Sequence, residues 1–145
     1  VGETVGSIGY VDFGYVRDFK RTAVQMANQA GEYIGPSHEA FRNALTASDW
    51  VRNGKFTTTL TDMPGRGVWP ITMGTFVLVP QVTARSDDTV KALKFFVWSF
   101  LHGDELVQQH NFVRLPNRVQ AAAFRTIASV RDLDGKQIGM QLTGY

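Results

Sequence analysis

One run of the chain constrains its fold more than any other. It is Trp69-Pro70-Ile71-Thr72-Met73-Gly74-Thr75-Phe76-Val77-Leu78-Val79, entered through the turn-rich Asp62-Met63-Pro64-Gly65-Arg66-Gly67-Val68 and closed by Pro80. β-Branched and aromatic residues crowd Thr75 to Val79, the composition of a buried strand. Pro70 removes an N–H donor and biases Trp69 towards extended geometry, so the entry is stiff. A strand there needs other strands to pair with and helices to cover it.

The rest of the chain offers both, unevenly. Ser7 to Phe13 is predicted to be a strand with Ile8, Tyr10 and Val11 facing inward, and Lys55 to Thr61 another, with Phe56, Thr58 and Leu60 alternating on one face. Phe19 to Gln29 fits either a short helix or an irregular strand. Ser37 is placed to cap a helix whose first turn holds Glu39 and whose apolar stripe is Phe41, Ala44 and Leu45. Asn53-Gly54 is a turn signal. Ser86 is placed to cap a longer helix that carries Asp87 and Asp88 in its first turn. Its stripe is Val90, Leu93, Val97, Phe100 and Leu101, and Gly103 is its stop. Asp104 to His110 suits a short helix. A further helix opens at Leu115-Pro116-Asn117, with Val119, Ala122, Ala123, Ile127 and Val130 on its inner face. Asp134-Gly135-Lys136 turns into a tail expected to fray. This alternation predicts an α/β fold with helices packed on a sheet, although few strands are available to complete one.

Composition excludes several classes of function. The 145 residues suit one domain or two small lobes, and 43% hydrophobic against 19% charged residues is a globular balance. Fifteen Lys and Arg against thirteen Asp and Glu leave a formal charge of +2, too small an excess to imply nucleic acid. Arg17, Lys20 and Arg21, like Arg114, Arg118 and Arg125, read as solvated surface. With no cysteine there is no disulfide framework and no thiolate metal site. No apolar run approaches the roughly 20 residues of a membrane span. The first residue is Val1, with no signal peptide before it, so the chain is expected to be a processed product or a piece of a longer one.

Chemistry-bearing motifs are sparse. His38, His102 and His110 lack metal-ligand spacing, so no metal is expected. No nucleophile elbow or Ser–His pairing occurs, and Asp87-Asp88 and Asp104-Glu105 lie at helix starts, where they serve the helix dipole. No cofactor and no enzymatic activity are expected. Gly65-Arg66-Gly67 is either a plain turn or a loop near a binding cleft, since glycine N–H groups and an arginine fork suit phosphate; it lacks the lysine and hydroxyl residue of a P-loop.

Several landmarks in order carry a resemblance. Ser7-Ile8-Gly9-Tyr10-Val11-Asp12 comes first, then Ala47-Ser48-Asp49-Trp50, Thr61-Asp62 and Trp69-Pro70-Ile71-Thr72. Leu93-Lys94-Phe95-Phe96-Val97-Trp98, Phe112-Val113-Arg114-Leu115-Pro116 and Asp134-Gly135-Lys136 follow. Together they resemble the periplasmic phosphate-binding proteins (PstS type) of ABC importers, over nearly the whole chain but only the C-terminal half of such a protein. The resemblance implies a two-lobed, type II periplasmic-binding-protein-like architecture, with residues 1–68 in the second lobe and 69–145 returning to the first. Thr61, Asp62, Trp69 and Pro70 would form the hinge, or crossing, between lobes. It implies a non-catalytic phosphate-binding role in the periplasm, with delivery to a membrane permease. The family's phosphate ligands lie upstream of Val1, so none transfers here; among residues able to donate, Arg66 and Thr72 are the weak candidates. Exposed strand edges predict a cleaved half that pairs with an N-terminal half, or a swapped or self-paired dimer with a second copy. Two rival readings are a structural or interaction half-domain that binds no anion and a binding protein for another oxyanion, such as sulfate or molybdate.

Overall fold

The computed structural model describes residues 3–142. Six helices dominate them: α1 (Phe13–Asp18), α2 (His38–Ala47), α3 (Asp49–Arg52), α4 (Ser86–His102), α5 (Asp104–Gln109) and α6 (Asn117–Ala128). Strands are few and short. β1 (Met26–Ala27) pairs antiparallel with β2 (Tyr33–Ile34), and β3 (Val82–Thr83) pairs parallel with β4 (Arg131–Asp132). A single 3-10 turn spans Met140–Leu142. The architecture of the described residues is therefore mixed helix and strand, with helices forming most of the core.

Local signals account for the helices. Ser37 caps α2 by accepting the Ala40 N–H at 3.1 Å, and Ala44 and Leu45 are buried beneath it. Ser48 closes α2 and opens α3: its Oγ donates to the Leu45 carbonyl at 2.6 Å and accepts the Trp50 N–H at 3.2 Å. α4 stops at Gly103 as expected. Its start differs from expectation, because Ser86 lies inside the helix and Arg85 holds the cap position with no side-chain cap bond. Arg85 instead donates to Asp88 at 2.6 Å, and its own N–H is accepted by Thr83 Oγ1 at 3.0 Å. The expected α4 stripe also ends early, since Leu101 stands half exposed.

The expected strands are where the structure departs furthest. Ser7 to Asp12 forms no strand, Phe13 opens α1, and Ile8, Tyr10 and Val11 are exposed. Lys55 to Thr61 and Thr75 to Val79 likewise carry no ladder. The physical cause is the same for all three: a strand exists only through a partner's hydrogen bonds, and no described segment lies alongside them. Burial still alternates through Phe56, Thr58 and Leu60, the inward face expected there. The segment from Phe19 to Gln29 contains β1, in place of a helix.

Two apolar clusters hold the chain together. One gathers Leu93 and Val97 of α4, Ile127 of α6, and Val130, Ile138 and Leu142. The other gathers Leu45, Trp50, Leu60 and Val119. α6 belongs to both, giving Val119 to one and Ile127 to the other. The chain after Lys136 is thus packed rather than frayed up to Leu142, because Ile138 and Leu142 are both buried in the first cluster. Gly139 makes that packing possible: a Cβ there would overlap the Ile127 carbonyl oxygen, a backbone atom that cannot step aside. Gly139→Ala should therefore destabilise the protein by about 1–3 kcal/mol, read as a lower urea midpoint at unchanged slope.

Candidate functional site

The turn-rich approach to Trp69 folds into a closed loop with a specific clamp. Asp62 N–H donates to the Pro70 carbonyl at 2.7 Å, so the two ends of the loop meet. Inside it Asp62, Gly65 and Gly67 all take positive φ, at 51°, 124° and 64°. For Gly65 and Gly67 this is the conformation that glycine alone adopts without strain. The buried end continues as Val68, Trp69 and Pro70.

The β1–β2 hairpin grips this loop from the side. Asn28 shapes the hairpin turn, its Oδ1 accepting the Ala30 and Glu32 N–H groups at 3.0 Å each, with Gly31 at φ 76°. The turn places Glu32 against the loop. Glu32 Oε2 accepts the Gly67 N–H at 2.7 Å, and Oε1 accepts Arg66 Nε at 2.7 Å. Gln29 Nε2 donates to the Asp62 carbonyl at 2.7 Å, and Asn43 Nδ2 of α2 donates to the Gly67 carbonyl at 3.1 Å. Trp69 N–H reaches the Ala40 carbonyl at 3.3 Å, fastening the loop's exit to α2.

These contacts decide what the candidate residues can do. Arg66 is exposed at its tip, but its Nε is committed to Glu32. Thr72 is buried and its hydroxyl donates to the Trp69 carbonyl at 3.2 Å. No described contact joins Arg66 to Thr72. Thr61, Asp62, Trp69 and Pro70 do come together, through the Asp62–Pro70 bond. Glu32, which has no motif around it, is the residue that sequence reasoning missed; the Asn28-to-Gly31 turn was its only local signal.

Hydrogen bonding lowers the Glu32 carboxyl below its ordinary value near 4.5, first through the Gly67 N–H, then through Arg66 and Asn28, against an opposing effect of burial. A folded-state value below the unfolded one means the clamp's stabilisation is complete above about pH 4.5 and is lost as the pH falls through the depressed value. Glu32→Gln should remove that acid dependence. The protection factor of the Gly67 amide, which is corrected for the intrinsic pH dependence of exchange, should in the variant at neutral pH match that of the acidified parent; a pH profile of protection unchanged by the substitution would sink the assignment.

A concavity of about 510 Å³ opens between α3 and α6 and is lined by Trp50, Phe56, Arg118, Arg125 and Ser129. Arg118 and Arg125 are exposed there and carry no ion pair among the described residues, whereas Arg114 is paired with Asp104 at 2.6 Å. The histidines serve local roles: His38 opens α2 within 3.4 Å of Asn111 Oδ1, and His102 ends α4. No group of three or more His, Asp or Glu able to hold a metal ion occurs among the described residues. No described helix is long and apolar enough to cross a membrane.

Comparison with known proteins finds relatives that this chain matches over part of their length. No family model matches the chain. The phosphate-binding protein PstS of Xylella fastidiosa (strain Temecula1 / ATCC 700964) is 34% identical over 116 residues, which is 80% of this chain and 32% of that protein. The phosphate-binding protein PstS of Haemophilus influenzae (strain ATCC 51907 / DSM 11121 / KW20 / Rd) is 31% identical over 110 residues, 76% of this chain and 33% of that protein. That of Pasteurella multocida (strain Pm70) is 29% identical over 133 residues, 91% of this chain and 39% of that protein. The chain spans about a third of the length of the first of these relatives.

Proposed function

We propose, for a chain that is a part-length relative of the PstS phosphate-binding proteins, that it forms part of the phosphate-binding component of an ABC-type phosphate importer. The observation that carries this reading is similarity to proteins of that name along 76–91% of the chain. The component would be non-catalytic, would work in the periplasm and would hand phosphate to a membrane permease. Its architecture would be two-lobed and periplasmic-binding-protein-like, with residues 1–68 in one lobe and 69–145 in the other. The Asp62–Pro70 bond supports a crossing at that boundary, because it lays the Thr61-Asp62 and Trp69-Pro70 segments side by side.

Within that component this chain acts as scaffold, and the groups that contact phosphate lie in the rest of the protein. A dehydrated phosphate needs several convergent, uncommitted donors. The Thr72 hydroxyl is already spent on the Trp69 carbonyl, and Arg66, held through Nε by Glu32, has only its exposed Nη groups left to offer, which favours a supporting role for both. Calorimetric titration with inorganic phosphate tests the proposal. The 145-residue chain alone should give no saturable heat. Mixed with a polypeptide covering the other two thirds of a PstS relative, it should bind phosphate one-to-one and ignore sulfate. No phosphate binding by the mixture would overturn the importer reading, and binding by the chain alone would overturn the scaffold role.

A further inference from the structure

Two dipeptides of this chain are suited to cyclise on their own backbone, Asn53-Gly54 and Asp134-Gly135. In each, the side-chain carbonyl carbon lies within reach of the main-chain nitrogen of a glycine, which has no side chain to shield it. The fold treats the two differently. Gly135 N–H donates to the Asp132 carbonyl at 3.1 Å, and Asp134 N–H donates to Asp132 Oδ1 at 3.0 Å. Gly54 N–H has no acceptor among the described residues. Asn53 and Gly54 are both exposed, and a Cβ on Gly54 would meet no atom within 4 Å, so the turn has room to rotate. One bond opposes that rotation: Asn53 Nδ2 donates to Asp49 Oδ1 at 2.8 Å, an exposed contact that water contests. The other four asparagines precede Gln29, Ala44, Phe112 and Arg118, whose side chains crowd the nitrogen.

We propose that Asn53 is a site of spontaneous deamidation, with water as the only reagent. Hydroxide removes the Gly54 N–H proton, the nitrogen attacks Asn53 Cγ, and the Cγ–Nδ2 bond breaks. Ammonia leaves, its third hydrogen returned by water, and a succinimide ring remains. Water then opens the ring at either carbonyl, giving an aspartyl or an isoaspartyl link. Both products replace a donor to Asp49 with a carboxylate facing it, an unfavourable pair at i, i+4. The isoaspartyl link also lengthens the main chain by a methylene between Asn53 and Lys55. The N–H groups of those two residues close α3 on the Asp49 carbonyl, at 2.9 and 3.2 Å. Because α3 carries Trp50, the change reaches the second apolar cluster. The reaction requires neither phosphate nor another chain and stands apart from the phosphate reading.

Ageing the full chain at near-neutral pH, beside the same chain unfolded in urea, tests it by peptide mass and fragmentation. In the folded chain the Asn53 peptide should gain the mass difference between a hydroxyl and an amino group, as a mixture of aspartyl and isoaspartyl forms. Its rate should lie within about tenfold of the unfolded reference, because only a local opening is needed. Folding should slow isomerisation at Asp134 by a larger factor. Gly54→Ala should slow the reaction at Asn53 about tenfold or more, since a Cβ both crowds the nitrogen and disfavours the turn's positive φ of 68°. Asn53→Gln should abolish it, and after equal ageing the parent should melt lower than this variant. An Asn53 peptide that reacts in urea but keeps its mass in the folded chain would overturn the proposal. So would folding that protects Asn53 as strongly as Asp134.

Discussion

Replacing Trp50 with alanine should cost about 3–5 kcal/mol, the larger of two single-site losses expected here. Trp50 is only 5% exposed, and four separate features converge on it. Its Nε1 donates to the Thr58 carbonyl at 2.7 Å, its ring meets Phe56 and Phe76 edge-on, and Gly74 lies flat against it. Removing the indole therefore empties the second cluster, strands a carbonyl and releases the segment from Ile71 to Val79. At this chain length the loss should appear as a melting temperature lower by roughly 6–20 °C. Trp50→Phe separates the contributions: it keeps a ring but loses the Thr58 bond, for about 1 kcal/mol from the hydrogen bond itself. A Trp50→Ala protein that melts within a degree or two of the parent would show that this cluster is not a core.

Leu93→Ala should cost about 2–5 kcal/mol for a different reason. Leu93 is 1% exposed at the middle of α4, surrounded by Val97, Ile127, Val130, Ile138 and Leu142. Its truncation leaves a cavity between α4, α6 and the packed tail, and a close-packed interior fills such a gap only in part. Leu101 lies two turns further along the same helix and is 50% exposed, so Leu101→Ala should change stability by no more than about 0.5 kcal/mol. Parallel urea titrations of the two variants read the contrast directly. Equal losses would place the buried face of α4 elsewhere.

The difference between Leu93 and Leu101 also marks what the sequence could and could not convey. The longer helices were legible because their information is local, whereas the short α1 and α3 were not. Ser37, Gly103 and the spacing of Ala44, Leu93, Val97 and Ile127 each act within one or two turns. Strand composition at Ser7, Lys55 and Thr75 was equally visible, but a ladder depends on a distant partner that no spacing encodes. What survived of those expectations is the alternation of burial at Phe56, Thr58 and Leu60, whereas Thr75 to Leu78, expected to be buried, are exposed. Similarity to the PstS proteins was legible because it rests on the order of short landmarks. The clamp around Arg66 was not: Glu32 lies 34 residues away, and its approach depends on a hairpin of two-residue strands. Thr72 therefore looked like a spare donor in the sequence and is a committed one in the fold, while Arg66 is held through its Nε and keeps its Nη groups exposed.

The parallel pairing of β3 with β4 has a consequence for how the chain is made. It joins Val82 to Arg131, with α4, α5 and α6 all lying between them. On the ribosome, the uncharged stretch from Val68 to Ala84 emerges well before β4 can cover its end. At translation rates of 5–20 residues per second the delay is roughly 3–10 s. Throughout that interval the most strand-prone part of the chain stands open to other nascent chains, so the yield of soluble protein should depend on translation speed and chaperone supply more than on final stability.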